Sequence, residues 1–256
     1  MTDEQPVLTE RRGRTYLVTI NRPDQRNAVN EAVAQGIAAA LDELDADPGL
    51  SAGVLTGAGK GFCAGMDLKA FVAGERPHVG DRGFAGITRR SASKPLIAAV
   101  EGFAVAGGLE VALSCDMIIA ARGARLGIPE VKRSLVAAAG ALLRLPRSLP
   151  RNVAMELALT GDPIDAERAH ALGLVNRLAE PGQALAVVLE LADAIAVNAP
   201  LALTATKRIL VESVDWPDSE FFARQAEIVT PVAASEDARE GATAFAEKRP
   251  PRWQGR

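Results

Sequence analysis

Short apolar runs alternate with longer polar stretches in the first half of this chain. Four such runs have the length of a strand, and the third and fourth are continuously apolar, as expected for strands covered on both faces of a sheet. They occupy residues 16–20, 52–56, 96–100 and 117–121. The segments between them are long enough for helices, so the pattern predicts an α/β arrangement.

A helical pattern follows the first run. Apolar residues recur there at spacings of three and four, which places them on one face of a helix. Asn30 precedes the pattern as a capping residue, and Asp47-Pro48 ends it. The residues of the predicted buried stripe are Val33, Ile37, Leu41 and Leu44.

The second half of the chain changes character after Pro150. Its apolar residues follow a helical spacing almost throughout, and Gly173 stands where one helix would end. The predicted helices cover residues 153–159, 165–172, 185–197, 201–214, 221–229 and 237–247. We therefore predict an α/β core over residues 1–195 and a helical region over residues 196–256.

Composition excludes several classes of function. The chain has 256 residues and a net charge of −3, which argues against a general nucleic-acid binder and leaves a local basic patch as an open alternative. Its N-terminus is charged where a secretory signal is apolar, and no window of about 18 apolar residues predicts a membrane span. Two isolated cysteines, Cys63 and Cys115, favour reduced thiols in the cytoplasm. His78 and His170 lack neighbouring ligands, so no metal site is expected.

Two glycine-rich segments are candidates for binding an oxyanion. Gly107 and Gly108 precede a predicted helix over residues 109–114, where backbone N–H groups lack intrahelical partners. The loop from Gly61 to Gly65 has the same character, and the N–H of Ala64 is a possible second donor. For either segment alone, close packing of a strand against a helix is an alternative explanation.

Two glutamates accompany these segments. Glu110 lies in an otherwise apolar stretch, where it either complements a helix N-terminus or takes part in catalysis. Glu130 follows Pro129 and either faces nearby basic residues at the surface or transfers protons. The combination of both carboxylates with both loops favours a catalytic site.

Two other motifs do not lead to a function. The run from Thr56 to Gly61 resembles a phosphate-binding loop, but Gly61 stands where that motif requires Ser or Thr. Cys63 has no histidine near it in sequence, so we interpret it as a small packing residue.

Residues 73–82 are polar and rich in Gly and Pro, which predicts a mobile surface loop or lid.

The motifs taken together resemble the crotonase family, also called the enoyl-CoA hydratase/isomerase family. The resemblance runs almost from end to end and implies a spiral of repeated β-β-α units with a helical C-terminal trimerisation region. The segments that carry it are Asn21–Pro23 with Arg26–Ala28, GFCAGMDL from Gly61, KPLIAAVEG from Lys94, GGLEVALSCDMIIAA from Gly107, GIPEVK from Gly127, and the tail from Ser235 to Arg249.

The resemblance implies roles for particular residues. Ala64 and Gly107 would donate N–H groups to the thioester oxygen of an acyl-CoA. Glu110 and Glu130 match the two places where hydratases of the family keep catalytic glutamates, with Glu130 as the principal acid/base and Glu110 as its water-holding partner. The residues expected to contact coenzyme A are Arg26, Ala28, Met66, Asp67 and Leu68, with Phe245 and Lys248 reaching the coenzyme A of a neighbouring subunit.

The expected activity is hydration of a 2-enoyl-CoA in fatty-acid or related acyl-CoA catabolism, by a homotrimer or a dimer of trimers. Coenzyme A would be part of the substrate, and no separate cofactor is expected. Enoyl-CoA isomerase, a carnitinyl-CoA dehydratase-like enzyme and a non-catalytic acyl-CoA-binding subunit are alternatives. The chain departs from the usual family pattern over residues 133–141, which affects the acyl pocket. Its walls are expected to include Phe71, Phe84 and Ile87, unless these side chains only pack in the core.

Overall fold

The computed structural model describes residues 5–256. Its strands are β1 (Val7–Arg12), β2 (Thr15–Ile20), β3 (Ala52–Gly57), β4 (His78–Val79), β5 (Gly83–Phe84), β6 (Leu96–Val100), β7 (Phe103–Val105), β8 (Met117–Ala121), β9 (Arg125–Gly127), β10 (Ile164–Asp165) and β11 (Arg177–Ala179). Its helices are α1 (Glu31–Ala46), α2 (Leu68–Val72), α3 (Gly107–Ala112), α4 (Ala141–Ser148), α5 (Arg151–Thr160), α6 (Ala166–Ala171), α7 (Ala184–Ala196), α8 (Pro200–Glu212), α9 (Phe221–Ala233) and α10 (Glu236–Glu247).

A six-stranded sheet forms the centre of the α/β core, in the order β1-β2-β3-β6-β8-β11. All neighbouring strands are parallel except β1 and β2. The four predicted apolar runs are the four central strands. Alternate side chains enter two separate cores, since Leu55 and Ala98 lie in one cluster and Val54 and Ile97 in the other. Burial on both faces explains why these strands carry continuous apolar runs.

Helices cover both faces of this sheet. The predicted stripe of α1, from Val33 to Leu44, is fully buried on one face. The side chain of Asn30 accepts a hydrogen bond from the N–H of Val33 at 3.1 Å, as its capping role requires. On the other face, α7 packs Ala184, Val188 and Ala192 against the sheet.

Three further strands form a smaller sheet in the order β10-β9-β7. Two successive units, β6-β7-α3 and β8-β9-α4, each send their first strand to the large sheet and their second to the small sheet. A parallel bridge between Cys63 and Ala104 brings the loop after β3 against β7. The glycine loops therefore meet next to the small sheet.

Several elements were not predicted. β1 has the sequence VLTERR, and five of its six residues are exposed because it lies at the sheet edge. β7, β9 and β11 have three residues each, which is too short for an alternation pattern. α4 contains Pro146, which on sequence grounds ends a helix.

The segment predicted as a mobile loop or lid is largely exposed, but its end is anchored. His78 and Val79 pair with Phe84 and Gly83 in a two-stranded hairpin. Arg82 is buried and forms an ion pair with Asp42 on α1. The hairpin is therefore fixed to the core at its turn.

The C-terminal helices α8, α9 and α10 begin after the predicted boundary, and their helical character is as predicted. α8 contains no buried residue, and α9 buries only Ile228. Large apolar side chains on them stay exposed, among them Leu210, Phe222 and Phe245. Within residues 5–256, no single helix has the length and apolar character to cross a bilayer, and α7 with Pro200–Asp215 qualifies only as a pair bent by 109°.

Candidate active site

One cavity of about 460 Å³ collects most of the predicted site residues. It opens between the two glycine loops, the hairpin and the segment that follows β9. From the predicted set it brings together Ala64, Gly107, Glu110, Glu130, Arg26, Met66 and Leu68. Arg26 and Glu130, which are 104 positions apart in sequence, therefore line the same cavity.

The two glycine loops run against each other. The carbonyl of Cys63 accepts a hydrogen bond from Val105 N–H at 3.1 Å. A Cβ added to Gly65 would lie 2.9 Å from the nitrogen of Gly107, and one added to Gly108 would collide with the Cys63 carbonyl. Glycine is required at these positions because the two backbones approach too closely for a side chain.

Helix α3 begins at Gly107, two residues before the predicted start. The prediction was wrong there because the glycine pair indicated a loop, whereas both glycines form the first helical turn. The N–H of Gly107 consequently lies where the helix offers no carbonyl partner and where its dipole is positive. Gly107 and Glu110, one turn later, both line the cavity.

The second predicted donor already has an acceptor. The N–H of Ala64 donates to the carbonyl of Arg26 at 3.1 Å. Arg26 has a left-handed backbone with φ of 54°, and its guanidinium lies 4.6 Å from the ring centre of Phe103. The two candidate donors therefore differ: the loop of Ala64 holds its donor in an internal bond, and Gly107 does not.

Glu110 is buried and held by two backbone amides. Its Oε1 accepts hydrogen bonds from Ala139 N–H at 2.7 Å and from Ala141 N–H at 3.1 Å. Ala141 is the first residue of α4, and Gly140 before it has no side chain to cap that helix. Glu110 thus supplies the cap from α3. Burial raises the pKa of Glu110, and the two amide bonds oppose that rise.

Glu130 lies in the short 3₁₀ helix Pro129–Arg133 that follows β9. Its Oε2 is buried and meets no hydrogen-bond partner among residues 5–256. Burial raises the pKa of Glu130, and the nearby charge of Glu110 raises it further. A half-buried carboxyl group that has one buried oxygen without a partner favours its protonated form, which is the state that a proton donor needs.

Four predicted contact residues lie outside the cavity lining. Asp67 caps α2 through its bonds to Lys69 N–H and Ala70 N–H, and it pairs with Arg22 at 3.0 Å. The carbonyl of Ala28 accepts a bond from the same arginine. Phe245 and Lys248 lie on α10 and at its end, away from this chain's own cavity. Their assignment to coenzyme A stays a prediction.

The acyl-pocket wall is partly as expected. Phe71 and Phe84 line the cavity, whereas Ile87 is fully buried in the core cluster. The structure adds lining residues that the sequence reasoning did not assign, among them His78, Arg133, Leu135 and Val136. The hairpin pairing brings His78 to the site, its ring 5.8 Å from that of Phe84. For Leu135 and Val136, the available signal was the unusual apolar run that follows Glu130 and Arg133.

Cys63 behaves as a packing residue. It is fully buried, and burial raises the pKa of its thiol to about 12. The N–H of Gly65 donates to its sulfur at 3.3 Å. A thiol with this pKa carries little thiolate at neutral pH, so its role is to shape the loop rather than to attack a substrate.

Comparisons with known proteins show the family of this chain. The profile of the enoyl-CoA hydratase/isomerase family matches residues 10–256. Enoyl-CoA hydratase EchA19 of Mycobacterium tuberculosis is 45% identical over 98% of this chain and 97% of its own length. The carnitinyl-CoA dehydratase of Proteus mirabilis is 38% identical over 96% and 97% of the two chains.

A solved structure gives the same result for the fold. The crystal structure of enoyl-CoA hydratase EchA1 from Mycobacterium marinum superposes with a TM-score of 0.97 at 60% identity, covering 99% of this chain and 100% of that one. These likenesses confirm the predicted crotonase fold and the prediction of a hydratase-type enzyme. The chain belongs to the enoyl-CoA hydratase/isomerase family.

Proposed function

We propose that this protein adds water across the 2,3 double bond of a 2-enoyl-CoA thioester, with Glu110 and Glu130 as its catalytic residues. The observation that carries the proposal is the placement of both carboxylates in one cavity with the backbone of Gly107. One of the two is held by amides, and the other has a buried oxygen without a partner. A core packed only for stability would not keep such an oxygen unpaired.

The reaction follows from these surroundings. A water oxygen forms a bond to C3, and the π electrons of the double bond move toward the thioester oxygen, which becomes enolate-like. One carboxylate accepts a proton from the water, and a carboxyl group returns a proton to C2. Glu130 acts as the principal acid/base, and Glu110 holds the water through the oxygen that is not bound to Ala139 and Ala141. Atoms and protons balance, since OH ends on C3 and H on C2, and the proton that the carboxylates take from the water equals the one that they return to C2.

Stabilisation of the enolate oxygen is assigned to the N–H groups of Gly107 and Ala64. Charge develops on that oxygen during the attack, and a preorganised backbone donor typically contributes about 2.7 to 4 kcal/mol to such a transition state. The first turn of α3 adds its dipole to the donor of Gly107. The N–H of Ala64 contributes when the substrate oxygen replaces the Arg26 carbonyl as its acceptor, or when both oxygens accept from it together.

The coenzyme A part of the substrate is assigned to Arg26, Met66 and Leu68 at the cavity, with Ala28 and Asp67 beside it. Coenzyme A enters as part of the substrate, and the proposed chemistry uses no separate cofactor. The exposed apolar residues of α8 to α10 support a homotrimer or a dimer of trimers, in which Phe245 and Lys248 reach a neighbouring site. A role in acyl-CoA breakdown and a cytoplasmic location remain parts of this proposal.

A second candidate is a carnitinyl-CoA dehydratase-like reaction in the same site. The relative of that name supports it, and so do the apolar side chains of Leu135 and Val136 in the part of the lining that departs from the usual pattern. Elimination and addition of water use the same two carboxylates in opposite directions. Crotonyl-CoA and a 4-trimethylammonio enoyl-CoA, compared by kcat/KM, distinguish the two candidates.

The test of catalysis is the Glu130→Gln variant, which keeps the shape of the side chain and removes the acid/base. Loss of absorbance of the conjugated enoyl thioester measures hydration across a panel of substrates. We expect kcat to fall by about 10² to 10⁴, with the Kd of the CoA ester little changed. Glu190→Gln, on the exposed side of α7, is the matched control.

Two outcomes would contradict the proposal. Hydration by Glu130→Gln at the normal rate would remove Glu130 from the mechanism. Tight binding of enoyl-CoA esters without turnover by the unaltered protein would favour a binding subunit. Water labelled with heavy oxygen separates hydration from isomerisation, because only hydration forms a bond between the water oxygen and C3.

A further inference from the structure

Ala106, the residue before Gly107, has an unusual backbone. Its φ is 53° and its ψ is −133°, in a region that side chains rarely adopt and that glycine occupies freely. Alanine here carries a strain that glycine would avoid. Residues in such conformations persist where the surrounding structure holds them, and they concentrate at functional sites.

The contacts of Ala106 join three segments of the site, namely β9, α3 and the loop of Ala64. Its N–H donates to the carbonyl of Gly127 at 2.9 Å, on the strand that leads to Glu130. Its carbonyl accepts bonds from Leu109 at 2.9 Å and Glu110 at 3.3 Å, and so begins α3. Its methyl group lies against Gly65, where an added Cβ would come within 2.9 Å of it.

The peptide plane between Ala106 and Gly107 carries the N–H that is assigned to the enolate oxygen. The ψ angle of Ala106 sets the direction of this plane, and the packing of the Ala106 methyl group against Gly65 limits how far the plane can rotate. The methyl group also fixes the spacing between this plane and the loop of Ala64. We infer that Ala106 is a positioning residue, whose methyl group holds the Gly107 N–H in the direction needed to polarise the substrate carbonyl; the inference rests on the proposed function.

The test is the Ala106→Gly variant, since it removes the methyl group and relieves the backbone strain. We expect kcat to fall by about 10- to 100-fold while KM changes less than threefold, because a donor that moves still permits binding. The melting temperature should stay the same or rise. A purely structural role of the methyl group would lower the melting temperature instead.

A matched control exists in the same chain. Ala85 has the same φ of 53° and is fully buried, but it does not line the cavity. Ala85→Gly also replaces an alanine that has a positive φ, and it should leave kcat unchanged. An equal loss of kcat in both variants would overturn the inference, because it would reflect a general loss of rigidity.

A spectroscopic readout separates this inference from the proposed function. An aryl-substituted enoyl-CoA absorbs at longer wavelength when its carbonyl is polarised, and this shift requires binding but no turnover. We expect a clear shift with the unaltered protein and a smaller one with Ala106→Gly at saturating probe. Equal shifts in the two proteins would overturn the inference alone, whereas no binding by either would overturn the proposed function.

Discussion

The two carboxylates of the site stand in different surroundings, although both come from glutamate and share one cavity. The region around Glu110 is a junction of helices, where the carboxylate caps α4 through two amides. The region around Glu130 is a short 3₁₀ turn, where one carboxylate oxygen is buried without a partner. The hydrogen-bond donors around a glutamate therefore decide whether it anchors the structure or stays available as an acid.

Truncation of each glutamate to alanine should change the free energy of unfolding by very different amounts, and this is the largest effect that we expect. Glu110→Ala leaves the N–H groups of Ala139 and Ala141 without their acceptor and removes the cap of α4, so we expect a loss of about 2 to 3 kcal/mol in the free energy of unfolding. Glu130→Ala removes a carboxylate oxygen without a partner and should leave that free energy unchanged or raise it. Urea denaturation measures both.

The comparison fails if the two truncations cost the same free energy. Glu110→Gln serves as the control, because its amide oxygen still accepts from both backbone groups. It should recover most of the stability that Glu110→Ala loses, while its lack of a carboxylate still lowers kcat.

The contribution of Glu130 to the free energy of unfolding should also depend on pH, with a smaller effect than that of the truncations. Burial raises the folded pKa of Glu130 above its ordinary value of 4.5, so its protonated form stabilises the fold. That contribution is complete below the ordinary value and is lost as the pH rises through the elevated folded pKa. Relative to Glu130→Gln, the wild type should therefore lose about 0.5 to 1 kcal/mol toward neutral pH, a modest loss because the group is half-exposed.

Urea midpoints measured at steps between acidic and neutral pH check this sign. Glu240→Gln provides a control of opposite sign, since Arg249 lowers the pKa of Glu240 to about 2. A wild type that gains stability over Glu130→Gln as the pH rises would show that Glu130 has a charged partner in the folded state.

The smallest expected effect concerns Arg144 on α4. Its guanidinium donates to the Thr88 carbonyl at 2.6 Å, and its charge lowers the pKa of Glu110. Arg144→Gln should raise the pKa of Glu110 and move the acid limb of the kcat/KM profile to higher pH, with about a threefold loss on that limb. Arg144→Lys keeps the charge and should keep the limb in place.

Arg147→Gln tests whether this effect is specific. Arg147 lies on the same helix, exposed and 3.5 Å from Asp215. Its variant should leave the pH profile unchanged. A shift of equal size in both variants would assign the effect to the net charge rather than to the position of Arg144.

The sequence predicted those features that depend on neighbouring residues. The stripe and cap of α1 are visible because a helix repeats its pattern every few residues. β1 was not predicted, because its burial depends on its place at the sheet edge and its exposed residues carry charge. The resemblance to a known family, rather than periodicity, brought the distant glycine loops and glutamates together.

The different surroundings of Glu110 and Glu130 could not be predicted from the sequence. Ala139 and Ala141 lie about 30 positions after Glu110, and no side-chain pattern marks a backbone amide as a partner. The bond from Ala64 to Arg26 was hidden for the same reason. Such contacts depend on how loops are placed in space, which only the assembled fold determines.

The bond between Ala64 and Arg26 has a consequence for discrimination between substrate and transition state. A neutral thioester carbonyl that displaces the Arg26 carbonyl exchanges one neutral acceptor for another, so the ground state gains little from this N–H. A negatively charged enolate oxygen is a much stronger acceptor and gains from the same exchange. An N–H that has an internal acceptor in the free enzyme therefore stabilises the enolate-like transition state more than the bound substrate. This difference raises kcat rather than the affinity for the substrate.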